Sequence, residues 1–306
     1  MPVIIKTQHP APPMKDWLSY LIFIFFRMIM RWSPFWLLYR YADGLYFLLF
    51  YLIRYRRAVV RRNLTHAFPH HAPTAIRQLE KKAYRHFCDC MLETLKGLTA
   101  SPRTLCRRWQ LTNPELLNQY FNNNQSIVAF GGHYGNWEWG ISLSNQIQHR
   151  CVQFYKPLHL SKLDKVIKAG REHTGTIIRS AQTIQRTLIK ERKSCCCFAL
   201  IADQSPGDSK NYHWMTFLHQ DTAALMGPEL IAKTFDYPVI YLHGERVKRG
   251  FYRFTAHLIS DTPQQTPEGA ITEACMRHLE HQINTHPPLW LWTHNRWKMK
   301  KPPLNA

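Results

Sequence analysis

The pattern of hydrophobic and polar positions changes along the chain. Residues 17–53 consist mostly of apolar runs, which are interrupted by Arg31 and Pro34. Residues 63–97 have apolar positions at helical spacing, with a turn at 68–71 and a second helix opening at Pro73. From residue 126 onward, short apolar runs alternate with amphipathic segments of helical length. This last region therefore predicts strands that alternate with helices.

The individual elements of this region follow from the apolar runs and their breakers. The predicted strands cover residues 126–130, 151–155, 176–178, 195–202, 239–243 and 252–259. The predicted helices begin near residue 136 and cover 161–173, 181–193, 223–235 and 267–285. Alternation of this kind predicts an α/β fold with a mostly parallel central sheet flanked by helices.

The apolar runs of residues 17–53 predict an N-terminal hydrophobic, membrane-associating helical segment. Each run is shorter than the roughly 20 residues that a helix needs to cross a bilayer. Arg27 and Arg31 lie four positions apart and share one helix face, which favours a helix lying in the membrane interface or inserted at a slant. A buried helix hairpin is the alternative. Residues 1–16 contain four prolines and no periodicity, and they predict a loose leader.

Positive charge follows directly behind the apolar segment. Five of the nine residues 54–62 are arginine, an arrangement expected beside an anionic cytoplasmic leaflet, although a solvated helix face would have the same composition. The net charge of +20 would also suit a nucleic-acid-binding protein, but the sequence contains no motif of that class, so no nucleic-acid partner is expected. The simplest organisation is one catalytic domain, residues 54–306, behind the segment 17–53.

Candidate chemistry is concentrated where the first of these strands ends. Gly131 and Gly132 allow a tight turn, and His133 follows beyond the carboxyl end of a strand, where α/β proteins bind ligands. His133 and Glu138 are five positions apart, so on one continuous helix they would point about 140° apart. If His133 lies on the turn and Glu138 lies in the first helical turn, the carboxylate can reach back and hold one imidazole nitrogen. The other nitrogen is then a general base.

Two alternatives bear on this pair. A structural histidine would satisfy the same pattern, since a histidine and a glutamate five positions apart recur by chance. A zinc site on a helix needs ligands four positions apart, and the spacing here is five, so no metal site is expected. No cofactor is expected either.

The sequence contains a histidine and a glutamate separated by four residues, placed after a strand and two glycines. This arrangement resembles the signature of glycerolipid-type acyltransferases. Further stretches resemble one branch, the lipid A biosynthesis late acyltransferases, which are lauroyl and myristoyl transferases of Gram-negative bacteria. These stretches are residues 61–69, 156–171, 202–206 and 287–298. The resemblance covers about residues 54–300.

The resemblance implies transfer of an acyl chain from acyl carrier protein to a hydroxyl of a lipid A precursor, which gives an acyloxyacyl product. It implies His133 as general base and Glu138 as the carboxylate that orients it. Arg171 and Asp203 match positions tied to the substrate site. Backbone N–H groups near Gly131 and Gly132, or the guanidinium of Arg171, are the expected donors to the oxyanion.

The expected partners are acyl carrier protein, a lipid A precursor or related anionic lipid, and the membrane surface. The expected location is the cytoplasmic face of the cell inner membrane. An acyltransferase that acts on a lysophospholipid or an aminolipid is the alternative. Two departures leave the acceptor and the acyl-chain length open: Gly131 and Gly132 replace the family's bulky residue before the histidine, and residues 211–218 are unusually aromatic.

Some of these residues also have structural interpretations. Asp203 follows an apolar strand and could cap a turn. Arg171 could be a solvated charge. Trp290, Trp292 and Trp297 are interpreted mainly as packing residues.

Overall fold

The N-terminal half of the chain is mostly helical, and the C-terminal half alternates between strands and helices, in the computed structural model that describes residues 14–207 and 209–302. The helices in this part are α1 (Met14–Trp32), α2 (Phe35–Phe47), α3 (Arg57–Ala67), α4 (Pro73–Gly97), α5 (Pro102–Arg108), α6 (Pro114–Asn122), α7 (Ser161–Glu172), α8 (Ile184–Glu191), α9 (Gly227–Phe235) and α10 (Ala270–Thr285). The strands are β1 (Trp109–Leu111), β2 (Ile127–Gly131), β3 (Arg150–Tyr155), β4 (Ile177–Ser180), β5 (Cys196–Ile201), β6 (Tyr212–Phe217), β7 (Gln220–Leu225), β8 (Val239–Lys248) and β9 (Phe251–Ser260).

A mostly parallel sheet organises the described residues, in the strand order β1-β9-β8-β2-β5-β3-β4. Strands β8, β2, β5, β3 and β4 are parallel to one another, whereas β9 pairs with β8 in the antiparallel direction and β1 is parallel to β9. The predicted α/β fold with a mostly parallel central sheet is therefore confirmed.

Both faces of the sheet are covered, as a parallel sheet requires. In β2, Val128 and Phe130 pack on one face with residues of α3, α4, α9 and α10. Ile127 and Ala129 point to the other face, where they pack with residues of α5, α6 and the 3₁₀ helix Trp137–Asn145. The central strands are thus held rigidly, and the loops at their carboxyl ends start from fixed positions.

The first two N-terminal helices are separated at Pro34, one of the two residues that interrupt the apolar runs, whereas Arg31 lies within the first helix. Ser33 and Pro34 separate α1 from α2, and α2 continues into the π-helical turn Leu48–Leu52. Helix α2 packs against α4 and buries Leu38, Ala42 and Tyr46. Within residues 14–207 and 209–302, no helix combines the length and the apolar character needed to cross a membrane. The predicted loose leader, residues 1–16, lies almost wholly outside the described residues.

One predicted helix is wrong over its first part. The sequence predicts that residues 223–225 begin a helix, but they belong to β7, which forms an antiparallel hairpin with β6 over the aromatic stretch. Leu218 and His219 connect the two strands, and both have positive φ, at 49° and 60°. Such turns usually contain Asn-Gly or Asp-Gly, so this hairpin lacks the usual sequence signal. The helix itself begins at Gly227.

The remaining differences concern the type or bounds of elements and elements that were not predicted, among them α5, α6 and β6. The helix predicted from about residue 136 is a 3₁₀ helix, Trp137–Asn145, and the helix predicted over 181–193 divides into the 3₁₀ turn Ala181–Thr183 and α8. Strand β1 has no counterpart among the predicted strands, because its three residues are too few to show a period.

Candidate active site

The site is formed where neighbouring strands β2 and β5 end. These strands are parallel, and Gly131 is paired with Ile201. His133 lies two residues beyond Gly131, and Asp203 lies two residues beyond Ile201. Equal distances from paired positions place the two side chains next to each other at one edge of the sheet.

Asp203 binds both the ring and the backbone of His133. Its Oδ1 lies 2.5 Å from His133 Nδ1, and its Oδ2 accepts a hydrogen bond of 2.9 Å from the His133 backbone N–H. The indole N–H of Trp290 donates to the same Oδ2 at 2.8 Å. Burial raises the pKa of the Asp203 carboxyl, but the His133 ring and the donors from His133 and Trp290 outweigh burial and lower it to about 2. Asp203 is therefore an ionised carboxylate that fixes the imidazole.

The second ring nitrogen of His133 has different surroundings. A carboxylate at Nδ1 favours the tautomer with the proton on Nδ1, which leaves Nε2 as an acceptor. The side-chain amide of Gln204 lies 3.2 Å from Nε2 and can donate to it. His133 and Gln204 both line a wide cleft of about 1810 Å³, measured with its open side included. This geometry gives a basic nitrogen that faces a substrate-sized space.

The predicted partner of His133 is a different carboxylate from the one observed. Glu138 lies in the first turn of the 3₁₀ helix, as predicted, but its carboxylate forms a two-pronged ion pair with Arg171 at the end of α7. The three N–O distances are 2.8, 2.8 and 3.2 Å. The contact predicted between Glu138 and the His133 ring is thus corrected: Asp203 makes it. Sheet register brings Asp203 to the ring, whereas nearness in sequence does not bring Glu138.

The two glycines before His133 have different surroundings. A Cβ placed on Gly132 would lie 2.7 Å from a methyl group of Leu279 and 3.4 Å from Asp203 Oδ2. A larger residue at position 132 would therefore require the Leu279 side chain of α10 to move. A Cβ placed on Gly131 would meet no atom within 4 Å, so this position opens onto free space.

That free space belongs to a narrow cavity next to the cleft. The narrow cavity measures about 650 Å³ with its mouth included, and its lining is mainly apolar. Gly131, Gly132, Gly140 and Gly244 all line it, together with larger side chains such as Trp109, Leu143 and Phe254. Trp137 and Phe154 line both the cavity and the cleft. The two spaces therefore share a wall beside His133.

The C-terminal segment supports the histidine loop. Leu291 N–H donates to the carbonyl of His133 at 3.1 Å, and Gly135 N–H donates to the carbonyl of Leu289 at 2.9 Å. Trp290, interpreted from sequence as a packing residue, is buried and also binds Asp203. The sequence contains no direct signal for this bond, because indole donors in cores look like packing residues. Gln204 could have been found, since it follows Asp203 beyond the same strand.

The predicted site residues are thus divided between two contacts at one cleft. His133, Asp203 and Gly132 lie together, and Glu138 and Arg171 form the second pair, with His133, Glu138 and Arg171 all lining the cleft. Among the described residues, no cluster of His, Cys, Asp and Glu has the arrangement of a metal site.

The fold and the site define a class: an α/β protein in which a carboxylate holds a histidine at the carboxyl end of a central strand. Over residues 7–299 the sequence matches the family of bacterial lipid A biosynthesis acyltransferases, and the chain belongs to this family. The resemblance found in the sequence is confirmed. The protein is accordingly an acyltransferase of the type that acts on lipid A acceptors. A search of curated proteins finds no match.

Proposed function

We propose that the protein transfers an acyl chain from the thioester of acyl carrier protein to a hydroxyl of a lipid A precursor, with His133 as the general base. The observation that carries this proposal is the Asp203–His133 pair at the cleft, in which Asp203 binds Nδ1 and leaves Nε2 as an acceptor beside the Gln204 amide. Asp203 takes the orienting role in this proposal, and Glu138 acts with Arg171 in substrate binding.

The proposed reaction includes two proton transfers, and His133 Nε2 takes part in both. His133 Nε2 accepts the proton of the acceptor hydroxyl while the oxygen attacks the thioester carbonyl carbon. The new C–O bond forms, the tetrahedral oxyanion collapses, and the C–S bond breaks. The thiolate leaves with the proton from the imidazolium, so the products are the ester and the free carrier thiol. Asp203 stabilises the imidazolium between the two steps.

Gln204 contacts the atom at which this reaction begins. Its amide lies 3.2 Å from His133 Nε2, so the acceptor hydroxyl must take its place. After this exchange the amide stays beside the reacting carbon and can donate to the oxyanion. Arg171 and the backbone around Gly131 and Gly132 are the other candidate donors at the site.

The two lipid substrates differ in shape, and so do the two spaces. The narrow cavity suits one unbranched chain because it is apolar and lined by glycines. The cleft is wider and contains the cationic groups of Lys156 and Arg171, which suit a phosphorylated lipid with several chains. We therefore assign the donor chain to the narrow cavity and the acceptor to the cleft.

The exposed apolar surface of the N-terminal helices supports attachment to a membrane. We define this surface by side chains that are half exposed or more, among them Phe25, Phe26, Trp32, Trp36 and Leu52. Trp32 is 78% exposed and Trp36 is 68% exposed, which is costly in water and favourable at a lipid interface. Arg31 and Arg40 are exposed on the same helices, Arg54 is exposed in the connection that follows them, and all three can attract anionic headgroups. The cytoplasmic face of the inner membrane fits this charge.

Vesicle flotation tests the membrane surface. Deleting residues 17–53 would be a poor test, because α2 packs into the core. The double variant Phe25→Glu/Trp32→Glu should instead lose most binding to vesicles with anionic lipid. Leu258→Glu places one such carboxylate on an exposed apolar residue of β9, outside the N-terminal helices, and serves as control. Full binding by the double variant would refute the assignment.

The activity test uses the full chain in detergent, with acyl carrier protein loaded with acyl chains and a lipid A precursor. Mass spectrometry of the products measures transfer and identifies the acceptor. His133→Ala should lower kcat by about 10²–10⁴-fold, the usual contribution of a general base. His70→Ala, on an exposed turn, is the matched control. Full activity of His133→Ala would contradict the mechanism, and transfer only to lysophospholipid or aminolipid would contradict the acceptor.

A further inference from the structure

A further buried carboxylate, outside the Asp203–His133 and Glu138–Arg171 pairs, lies next to the candidate active site. Glu93, on α4, is fully buried and accepts hydrogen bonds from three different parts of the chain. Tyr39 of α2 donates to Oε1 at 2.9 Å, and Tyr252 of β9 donates to Oε2 at 2.9 Å. The side-chain amide of Asn136 donates to Oε2 at 2.7 Å. A carboxylate with three neutral donors has a specific geometry and a high cost of burial, so it needs an explanation.

Asn136 belongs to the loop that contains the chemistry. It lies between His133 and Glu138, and it is 1% exposed. Its Oδ1 accepts from the backbone N–H of Trp139 at 3.0 Å and so caps the 3₁₀ helix that contains Glu138. The indole N–H of Trp139 in turn donates to the backbone carbonyl of Glu93 at 2.8 Å. Glu93 thus holds the loop through both its side chain and its main chain.

We propose that Glu93 is a positioning residue, which fixes the His133–Glu138 loop through Asn136 and Trp139 and connects it to α2 and β9. This inference rests on the proposed function, because it assigns Glu93 to the geometry of that reaction. Trp137, the residue after Asn136, packs against the His133 ring with 5.1 Å between ring centres. A rotation of Asn136 therefore moves the neighbour of the base and the Glu138 carboxylate together.

The polarity of the Glu93–Asn136 bond makes the proposal testable. Carboxylate oxygens only accept, and the Asn136 amide must donate here because its oxygen already accepts from Trp139. In Glu93→Gln, only one side-chain oxygen is left to accept from three donors. Either the new NH₂ faces the Asn136 NH₂, so that two donors oppose each other, or it faces the Tyr39 hydroxyl and the bond to Tyr39 is lost or reversed. In Asn136→Asp, two carboxylates face each other. The double variant Glu93→Gln/Asn136→Asp restores one donor and one acceptor with reversed polarity, and the carboxylate introduced at position 136 can still accept from the Trp139 N–H.

Tyr39 extends the same network into the N-terminal segment. Its ring lies beneath Arg249, with 4.7 Å from the guanidinium carbon to the ring centre, and its hydroxyl donates to Glu93. Helix α2 is therefore connected to the active-site loop through one buried carboxylate.

The experiment compares the full-length wild type, the two single variants and the double variant at pH 8, in the transfer assay and by hydrogen exchange. Each single variant should lose at least tenfold in kcat with KM for the acyl donor within threefold, because a small displacement of a reacting group has a large cost. Exchange in the peptide that covers residues 132–139 should rise. The double variant should recover kcat to within threefold of wild type and restore exchange protection.

Single variants with wild-type kcat and protection would overturn the proposal, and so would a double variant no better than either single variant. If the single variants fail to fold, Tyr252→Phe removes one donor to the same oxygen, and it should lower kcat several-fold with the loop peptide less protected. An unchanged Tyr252→Phe would then overturn the proposal. Hydrogen exchange is measured without substrates. If the proposed function is wrong, the exchange data still show whether Glu93 fixes the His133–Glu138 loop.

Discussion

Gly132, directly before His133, is a position at which a single methyl group should disturb the site. In Gly132→Ala, the new Cβ would lie 2.7 and 3.0 Å from the two methyl groups of Leu279, and 3.4 Å from Asp203 Oδ2. Leu279 is fully buried on α10, so it has little room to move. Overpacking of this kind costs about 1–3 kcal/mol of the free energy of unfolding. The new methyl group would lie at ordinary van der Waals distance from Asp203 Oδ2, but any shift of the backbone away from Leu279 moves His133, the next residue, so kcat should fall as well.

Thermal unfolding and the transfer assay measure these two effects. Each kcal/mol should lower Tm by about 2–4 °C, so the expected decrease is at least about 2 °C. Gly131→Ala is the matched control for stability, because its methyl group meets no atom within 4 Å, and its Tm should match that of the wild type. Equal Tm values and equal kcat for Gly132→Ala and the wild type would refute the tight packing inferred between this backbone and Leu279.

Three further predictions concern Glu93, the narrow cavity and Trp290. Burial raises the pKa of Glu93 from 4.5 to about 7, so the folded protein binds the proton more tightly than the unfolded chain. The free energy of unfolding should therefore fall by up to about 3 kcal/mol as pH rises from 4.5 to about 7. Denaturant titrations of Glu93→Gln should lack this decrease. Identical pH dependence in the wild type and the variant would contradict the prediction. Gly131→Leu should project into the narrow cavity and shift the preferred donor to a shorter acyl chain in competition assays, and an unchanged preference would remove the donor chain from that cavity. Trp290→Phe loses the 2.8 Å bond to Asp203 and part of the indole packing, so kcat should fall about tenfold and Tm should also fall. Wild-type kcat would show that Trp290 acts only in packing.

The strands around the site could be predicted from the sequence because their apolar runs are continuous. The predicted bounds of β2, β3 and β5 lie within a residue or two of the observed ones, since both faces of the sheet are buried and most positions are apolar. The hairpin of β6 and β7 could not be predicted in this way. Ala223 and Ala224 are good helix formers, and in this hairpin tertiary pairing outweighs that preference.

His133 and the cleft residues could also be predicted, but the partner of the histidine could not. Glu138 is near His133 in sequence, whereas Asp203 is 70 residues away, and only the register of β2 with β5 brings Asp203 to the ring. Register depends on packing across the whole sheet, which local patterns do not encode. The hydrogen bonds to Glu93 could not be predicted for the same reason: the donors come from α2, the histidine loop and β9, which only the tertiary structure brings together.

The exchange of roles between the two carboxylates is the central claim, and kcat of Asp203→Asn compared with kcat of Glu138→Gln tests it most directly. Both substitutions keep the shape of the side chain and remove its charge. The account predicts that Asp203→Asn loses at least about 10²-fold in kcat, because the imidazole loses the partner that fixes its tautomer. Glu138→Gln should mainly raise KM for the acceptor, because it releases Arg171. A large loss of kcat in Glu138→Gln together with near wild-type kcat in Asp203→Asn would contradict the account.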